Sequence, residues 1–346
     1  LSVTDFQILQ EQRALRILSV FFGKENVPHA LLFTGIHGVG KRTAALMFAM
    51  ACNCRRFADG TVQSRVDRDV MTVVGCDCKA CRKILSGNHP DIHRVAPSGG
   101  MIRIDRVREL RHSLSLKPYE ASLRIVIVEQ AQTMNPEASN ALLKILEEPP
   151  DRTIFILTAL TPGDLLPTIA SRCINVRFDP VPRRRRAAVW RAKYDLTSVE
   201  ADLFAIMAEG SPGRINMDSP ADRKAWLRRR KWLLNRLSEI TSGTDRDLAV
   251  NGLMAFAERL FREKALIDGS LDMIRSFLRD LIIFKHAPEK ILNEDVLSDI
   301  RRISIIFTEK SLLSKIEAVN AAQKAVGSNA NIRLTLEVMV LQLAKK

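Results

Sequence analysis

Apolar residues along the chain fall into two patterns. The first is the short continuous run: Ala30-Leu31-Leu32-Phe33-Thr34, Leu123-Arg124-Ile125-Val126-Ile127-Val128 and Thr153-Ile154-Phe155-Ile156-Leu157. Runs of this length without polar alternation predict strands covered on both faces, as in a parallel sheet between helices. Ile174-Asn175-Val176-Arg177-Phe178 reads as a further strand, and Asn88-His89-Pro90-Asp91-Ile92-His93 as a strand approaching the core. Pro90 argues against a helix that would pair His89 with His93, so both histidines are read as ordinary polar contacts.

The second pattern is helical. Thr4 to Phe22 offers Leu9, Leu15, Ile17 and Leu18 as an apolar face, and Ala44 to Ala51 is apolar all round, which predicts a buried helix. Asn135-Pro136 opens another helix, with Asn as cap and Pro in the first turn, that runs through Leu142 and Ile145 and stops at Glu147-Glu148-Pro149-Pro150. Ile102 to Leu110 begins a basic helix with a solvated surface, and Arg55 to Asp69 reads as a polar loop or short excursion. Pro180 to Arg186 marks a boundary, and from Ala221 the chain is helical. There Trp226, Leu227, Leu233 and Leu234 mark an apolar face with Arg228 to Lys231 interleaved, while Leu278–Phe284 and Leu334–Leu343 read as core helices. The chain has no internal repeat and no low-complexity segment.

Composition sharpens this picture in three places. The 346 residues leave room for two or three domains with full cores, and 46% hydrophobic residues is ordinary for a globular protein. A formal net charge of +14 suggests a polyanionic partner, most simply nucleic acid. No apolar run approaches the ~20 residues of a membrane span, and the first residues carry no signal-peptide pattern, so a soluble intracellular protein without a membrane partner is expected.

The strongest candidate chemistry follows the first strand. Gly35-Ile36-His37-Gly38-Val39-Gly40-Lys41-Arg42-Thr43 lies between a strand and a helix, the context of a phosphate-binding loop. Gly35, Gly38 and Gly40 let backbone N–H groups turn inward, the helix N-terminus adds its dipole, and Lys41 can reach the outer phosphates. Arg42 occupies the position where a Ser or Thr hydroxyl would hold magnesium. Thr43 comes one residue late, about 100° further round the helix, and is a poor substitute. The strand ending at Val128 leads into Glu129-Gln130 rather than an acidic pair: Glu129 can still assist a metal, but Gln130 cannot take a proton from water. Thr158, at the end of its strand, is placed either to sense a γ-phosphate or simply to cap the strand.

The cysteines supply a second candidate site. Cys54, Cys76, Cys78 and Cys81 offer four thiolates, which suit a closed, structural, tetrahedral zinc site, and Cys78-x-x-Cys81 has common zinc-knuckle spacing. Cys76-x-Cys78 is tighter than usual, and Cys52 is an alternative to Cys54 at the end of the same helix. The competing account is a set of reduced thiols. Cys173 stands alone and reads as a small buried residue. Arg172, in Ser171-Arg172-Cys173, would by itself read as a surface ion pair.

Taken together these motifs resemble the clamp-loader branch of the AAA+ ATPases, and within it the delta-prime family of bacterial DNA polymerase III. The resemblance rests on the phosphate loop followed by clustered cysteines, on Asn140-Ala141-Leu142-Leu143-Lys144-Ile145-Leu146-Glu147-Glu148-Pro149-Pro150, on Ser171-Arg172-Cys173, and on Asn329-Ala330-Asn331-Ile332-Arg333-Leu334 with Leu336-Glu337. It implies an α/β plus all-α chain: an AAA+ P-loop parallel-sheet domain over 1–178 with a zinc module at about 52–81, a small helical lid domain over 179–218, and a C-terminal helical collar domain over 219–346. The lid would end at Gly210-Ser211-Pro212-Gly213-Arg214, where Arg214 sits one residue off the position of a phosphate-sensing arginine.

Such subunits are stators that carry a nucleotide fold without turning over ATP. The family implies zinc on Cys54, Cys76, Cys78 and Cys81, and ATP or ADP held without hydrolysis near Gly35, Gly38, Gly40, Lys41, Thr43, Glu129 and Thr158. It also implies that Arg172 acts in trans as an arginine finger. The implied partners are gamma/tau and delta subunits in a hetero-pentamer, the sliding clamp, and primer-template DNA through the complex. The implied setting is the bacterial cytoplasm, at the nucleoid-associated replisome. The chain would be a subunit of a DNA-directed DNA polymerase holoenzyme rather than a catalyst alone, a placement that Arg42 and Gln130 favour over an active gamma/tau-like motor.

Overall fold

The structure, a computed structural model, describes residues 13–23, 27–58, 73–208, 215, 217, 219–242, 250–326 and 330–345. The expected start of the first helix, the excursion beyond Ala58 and the Gly210–Arg214 segment lie outside the described residues. The chain divides into two compact units, one built from residues 1–205 and 209–213, the other from 206–208 and 214–346.

The first unit opens with helix α1 (Arg13–Gly23), then strand β1 (Ala30–Thr34), helix α2 (Lys41–Asn53) and the single turn α3 (Arg55–Ala58). Helix α4 (Lys79–Ser86), strand β2 (Ile92–Val95), helix α5 (Ile104–Leu114), strand β3 (Arg124–Val128) and helix α6 (Pro136–Glu147) follow. Strand β4 (Thr153–Ala159), the turn α7 (Pro167–Ala170) and strand β5 (Ile174–Arg177) complete the sheet, and α8 (Arg183–Tyr194) and α9 (Ser198–Met207) come after it. The sheet has the order β2-β3-β4-β1-β5, and every pairing is parallel.

Period-two alternation assigns each strand residue to one of two cores. Leu31, Phe33, Ile125, Ile127, Ile154 and Ile156 face α1 and α2, whereas Ala30, Leu32, Val126, Val128, Phe155 and Leu157 face α5 and α6. Because both faces are covered, the runs read as continuous. The pairing also places the chain segments that leave β1, β3 and β4 at one edge of the sheet, so the glycine loop, Glu129 and Thr158 meet there.

Buried polar side chains fix how helices meet strands. Asn53, the last residue of α2, grips Leu123 with both ends of its amide: Oδ1 accepts the Leu123 N–H at 3.1 Å and Nδ2 donates to its carbonyl at 2.9 Å. Buried Asp91 accepts the N–H groups of Tyr119, Glu120 and Ala121, each at 2.8 Å. Burial would raise its pKa, but those three amides outweigh it and hold the carboxyl below its ordinary value. His89 and His93 are drawn into this neighbourhood rather than into a metal site. His89 Nδ1 accepts the Asp91 N–H at 3.2 Å, and burial lowers the pKa of both rings. Asn135 caps α6 as expected, accepting the Ala138 N–H at 2.9 Å. In the basic run at the start of α8, Arg186 is buried and donates to the carbonyls of Val181 and Ala205.

The second unit is helical: α10 (Pro220–Ser242), α11 (Val250–Arg262), α12 (Ile267–His286), α13 (Leu297–Ser304), α14 (Glu309–Val326) and α15 (Ile332–Ala344). Trp226, Leu233 and Leu234 are buried as expected. Two of the arginines interleaved with them are buried as well, against the simple picture of a charged outer face. Arg229 closes the end of α11 by donating to the carbonyls of Arg259 (3.1 Å) and Leu260 (3.2 Å), with Nε on Ser270 Oγ at 3.0 Å. Arg230 makes a two-pronged pair with Asp295 and donates to Asn293 Oδ1 at 2.8 Å. Fully buried Asp280 in turn accepts the backbone N–H groups of Leu292 (3.0 Å) and Asn293 (2.8 Å). Lys315 does for α15 what Arg229 does for α11, donating to the Leu343 carbonyl at 2.6 Å and to that of Lys345, and its burial lowers its pKa to about 8.

Helices α10 and α12 touch at Gly269, where an added Cβ would stand 2.4 Å from the Trp226 ring. Gly269→Ala is therefore expected to destabilise this unit by about 1–3 kcal/mol, outweighing the gain in helix propensity, because a buried indole has nowhere to retreat. Equilibrium denaturant unfolding measures it; a neutral or stabilised variant would contradict the close approach.

Candidate nucleotide site, cysteine centre and exposed arginine

The glycine loop leaves β1 with its backbone in conformations that side chains resist. Gly35, Gly38 and Gly40 have φ of 142°, 71° and 105°. At Gly35 a Cβ would lie 2.5 Å from the Phe178 carbonyl oxygen, so only glycine fits, and its N–H donates to the Leu160 carbonyl at 2.9 Å. Gly40 leads directly into α2, whose first residue is Lys41. Lys41 Nζ donates to the carbonyls of Gly35 and, at 2.9 Å, Ile36, and burial lowers its pKa to about 8. The ammonium is thus held inside the curve of the loop, where an arriving phosphate would meet it.

The metal side of this site is occupied by arginine. Arg42 Nε lies 3.3 Å from Glu129 Oε1, and the same oxygen accepts from Arg94 Nε at 3.0 Å and Nη2 at 2.7 Å. Arg94 comes from β2, which pairs with β3 and so stands beside Glu129. Thr43, on the first turn of α2, is half-buried. Thr158 is buried, and its Oγ1 accepts the N–H of Gln130 at 2.9 Å, steadying a residue whose φ is 52°. The observed contact of Thr158 is therefore the local one, tying the end of β3 to β4.

The four cysteines converge. Cys54 follows α2 at once in extended conformation, Cys76 closes a turn onto the Val73 carbonyl, Cys78 stands at the N-terminus of α4, and Cys81 lies on its first turn. Their Sγ atoms all lie within 4.8 Å of one another, and Cys54 and Cys76 are 3.6 Å apart. Tetrahedral zinc with Zn–S bonds of about 2.3 Å places its sulfurs about 3.8 Å apart, so this arrangement fits the ion after small adjustments. Burial pushes the Cys54 thiol up to about 11 and Cys81 higher still. At Cys78 burial is outweighed by the N–H groups of Cys81 and Arg55, and the thiol falls to about 7. Backbone donors aimed at a sulfur are the environment of a metal-bound thiolate. The tight Cys76-x-Cys78 spacing does not keep Cys76 out. Cys52 is not in the group: it sits within α2, and burial raises its thiol to about 12. Cys173 is half-buried against the α5–α6 core, its thiol raised to about 11 by burial.

Arg172 follows α7 and is exposed. Its Nη1 donates to the Thr168 carbonyl at 2.9 Å and its Nη2 pairs with Glu147 Oε1 at 2.8 Å. Sequence reasoning missed Arg94 and Glu147 as partners. Strand order would have revealed the first, since only the β2–β3 pairing brings Arg94 to Glu129. Among the described residues no helix is long and apolar enough to cross a membrane.

Comparison with known proteins places these features in one family. Residues 10–182 match the family described as "DNA polymerase III, delta subunit", and residues 224–345 the family "DNA polymerase III, delta subunit, C terminal". The chain is 30% identical over 335 residues to the DNA polymerase III subunit delta' of Bacillus subtilis (strain 168), covering 96% of each. It is 28% identical over 368 residues to the gamma/tau subunit of Mycobacterium tuberculosis (strain H37Rv), covering 97% of this chain and 60% of that protein. A solved DNA polymerase III gamma subunit-related protein from Thermotoga maritima aligns with 96% of this chain and 98% of its own at 20% identity, with a TM-score of 0.47. Full-length likeness to a delta' subunit and matches to both family regions lead to one conclusion: the chain belongs to the DNA polymerase III delta' family of clamp-loader subunits.

Proposed function

We propose that this clamp-loader subunit is a stator: it supports ATP-driven loading of the sliding clamp on primed DNA without hydrolysing ATP itself. The observation that carries the reading is Arg42, which replaces the magnesium-binding hydroxyl and pairs with Glu129. Gln130 adds a second defect, since an amide cannot serve as the general base. Lys41 and the three glycines keep a cradle in which ATP or ADP is held, with Thr43 and Thr158 at its margin. Arg172 is the finger offered to a neighbouring motor subunit, and Cys54, Cys76, Cys78 and Cys81 hold a structural zinc ion. When bound, the ion would cross-link the end of α2 to α4; its closed thiolate set leaves no position for water.

The partners in this reading are gamma/tau and delta subunits in a hetero-pentamer, the clamp, and primer-template DNA met through the complex, in the bacterial cytoplasm at the replisome. The division into a sheet domain (1–178), a lid (179–218) and a collar (219–346) belongs to the same proposal. Similarity to gamma/tau subunits favours a second reading, an active AAA+ motor. Phosphate release by the purified chain separates the two. The stator is expected to release none above background with ATP, magnesium and primed DNA; steady release abolished by Lys41→Ala would establish the motor.

A further inference from the structure

The magnesium ion of phosphate-loop ATPases needs two protein features here, a hydroxyl on the residue after the lysine and a carboxylate at the end of the neighbouring strand. Neither fits. The hydroxyl position carries a guanidinium, and Glu129 Oε1 accepts from Arg94 Nε and Nη2 at 3.0 and 2.7 Å and forms an ion pair with Arg42, whose Nε lies 3.3 Å away. Magnesium requires oxygen ligands at about 2.0–2.1 Å in octahedral array, so even at the other oxygen of Glu129 it would lack the hydroxyl and sit beside two like charges. The Glu129 side chain is only 14% exposed, while Arg42 and Arg94 reach solvent at 54% and 33%, so the repulsion is partly screened but not removed.

The same groups suit a bare polyphosphate. Lys41, Arg42 and Arg94 carry three positive charges against the single negative charge of Glu129, so the edge of the sheet keeps a local excess of two. That excess is the charge a divalent cation would otherwise contribute. A guanidinium also donates to phosphate oxygens in a planar fork, which Arg42 can do from the first turn of α2 while its Nε stays beside Glu129, itself held by Arg94. We infer that the loop of this chain binds nucleoside di- or triphosphate as the metal-free anion, with Arg42, held by the Glu129–Arg94 pair, taking the place of magnesium. This rests on the reading of the loop as a nucleotide site, and goes beyond it by naming the ionic form of the ligand and two residues, Arg42 and Arg94, that select it.

Calorimetric titration of the full chain with ADP, in excess EDTA and in excess magnesium chloride, decides the matter. Binding is expected to be at least as tight in EDTA as in magnesium. Arg42→Ser restores the hydroxyl and releases one guanidinium from Glu129; it is expected to make ADP bind about tenfold or more tighter with magnesium than with EDTA. Wild-type binding that magnesium tightens more than about twofold overturns the inference and leaves the nucleotide reading standing. So does an Arg42→Ser chain with native circular dichroism that remains indifferent to the metal. Failure of the wild-type chain to bind ADP in either buffer overturns the nucleotide reading itself, and this inference with it.

Discussion

Arg172→Ala, built into a reconstituted clamp loader, is expected from the proposed finger role to cut the complex's ATP turnover by about 10³-fold. The guanidinium is exposed, yet its direction is set by the Thr168 carbonyl at 2.9 Å and Glu147 at 2.8 Å, so it is presented as a fixed charge rather than a waving chain. Both anchors lie in its own chain, and removing the side chain takes away no buried contact. The variant should therefore fold and join the complex normally, which native mass spectrometry of the mixture with motor and clamp-opening subunits checks. Arg172→Lys should fail nearly as badly, because an ammonium neither spans two phosphate oxygens nor keeps the planar geometry. A DNA-stimulated ATPase rate near that of the wild-type complex would reject the role in trans.

The second large effect concerns the cysteine centre. Elemental analysis of the purified chain is expected to find one zinc ion per molecule, lost in Cys81→Ser and retained in Cys52→Ser, since only the former thiol belongs to the convergent set. Zinc binding to small folded modules is worth about 10–16 kcal/mol, and part of that supports the fold. Here three of the four thiols are buried beside the α2 core, so stripping the ion leaves them clustered without a partner charge. Chelation should therefore lower stability by at least several kcal/mol, read as a fall in melting temperature that added zinc reverses. A metal-free protein whose melting is indifferent to both chelator and zinc would make the cluster a set of ordinary thiols.

Much of the first unit was legible because its physics is local. Continuous apolar runs announce strands covered on two faces, and β1, β3 and β4 lie where those runs fall. The glycine loop was legible because positive φ and the close approach at Gly35 exclude other residues. The choice between Cys52 and Cys54 was not legible, since periodicity alone allows either at a helix end. It is made by Asn53, whose grip on Leu123 ends α2 there and lets Cys54 turn away in extended conformation. Arg229 and Arg230 defied the pattern for a different reason: their charge reads as solvent-facing, but the carbonyls ending α11 and the carboxylate of Asp295 give them partners inside. The Arg42–Glu129–Arg94 cluster depends on strand order, which no single stretch of sequence contains.

Helix α2 begins at the loop lysine and ends one residue before the first of the four convergent cysteines. Thirteen residues make a rod about 20 Å long, buried along most of its length and hydrogen-bonded at its far end to Leu123, the residue before β3. Neither terminus can shift or rotate without dragging the other. The cysteine cluster and the glycine loop therefore share one rod, so an insertion at one extremity is expected to register as a misaligned lysine at the opposite one.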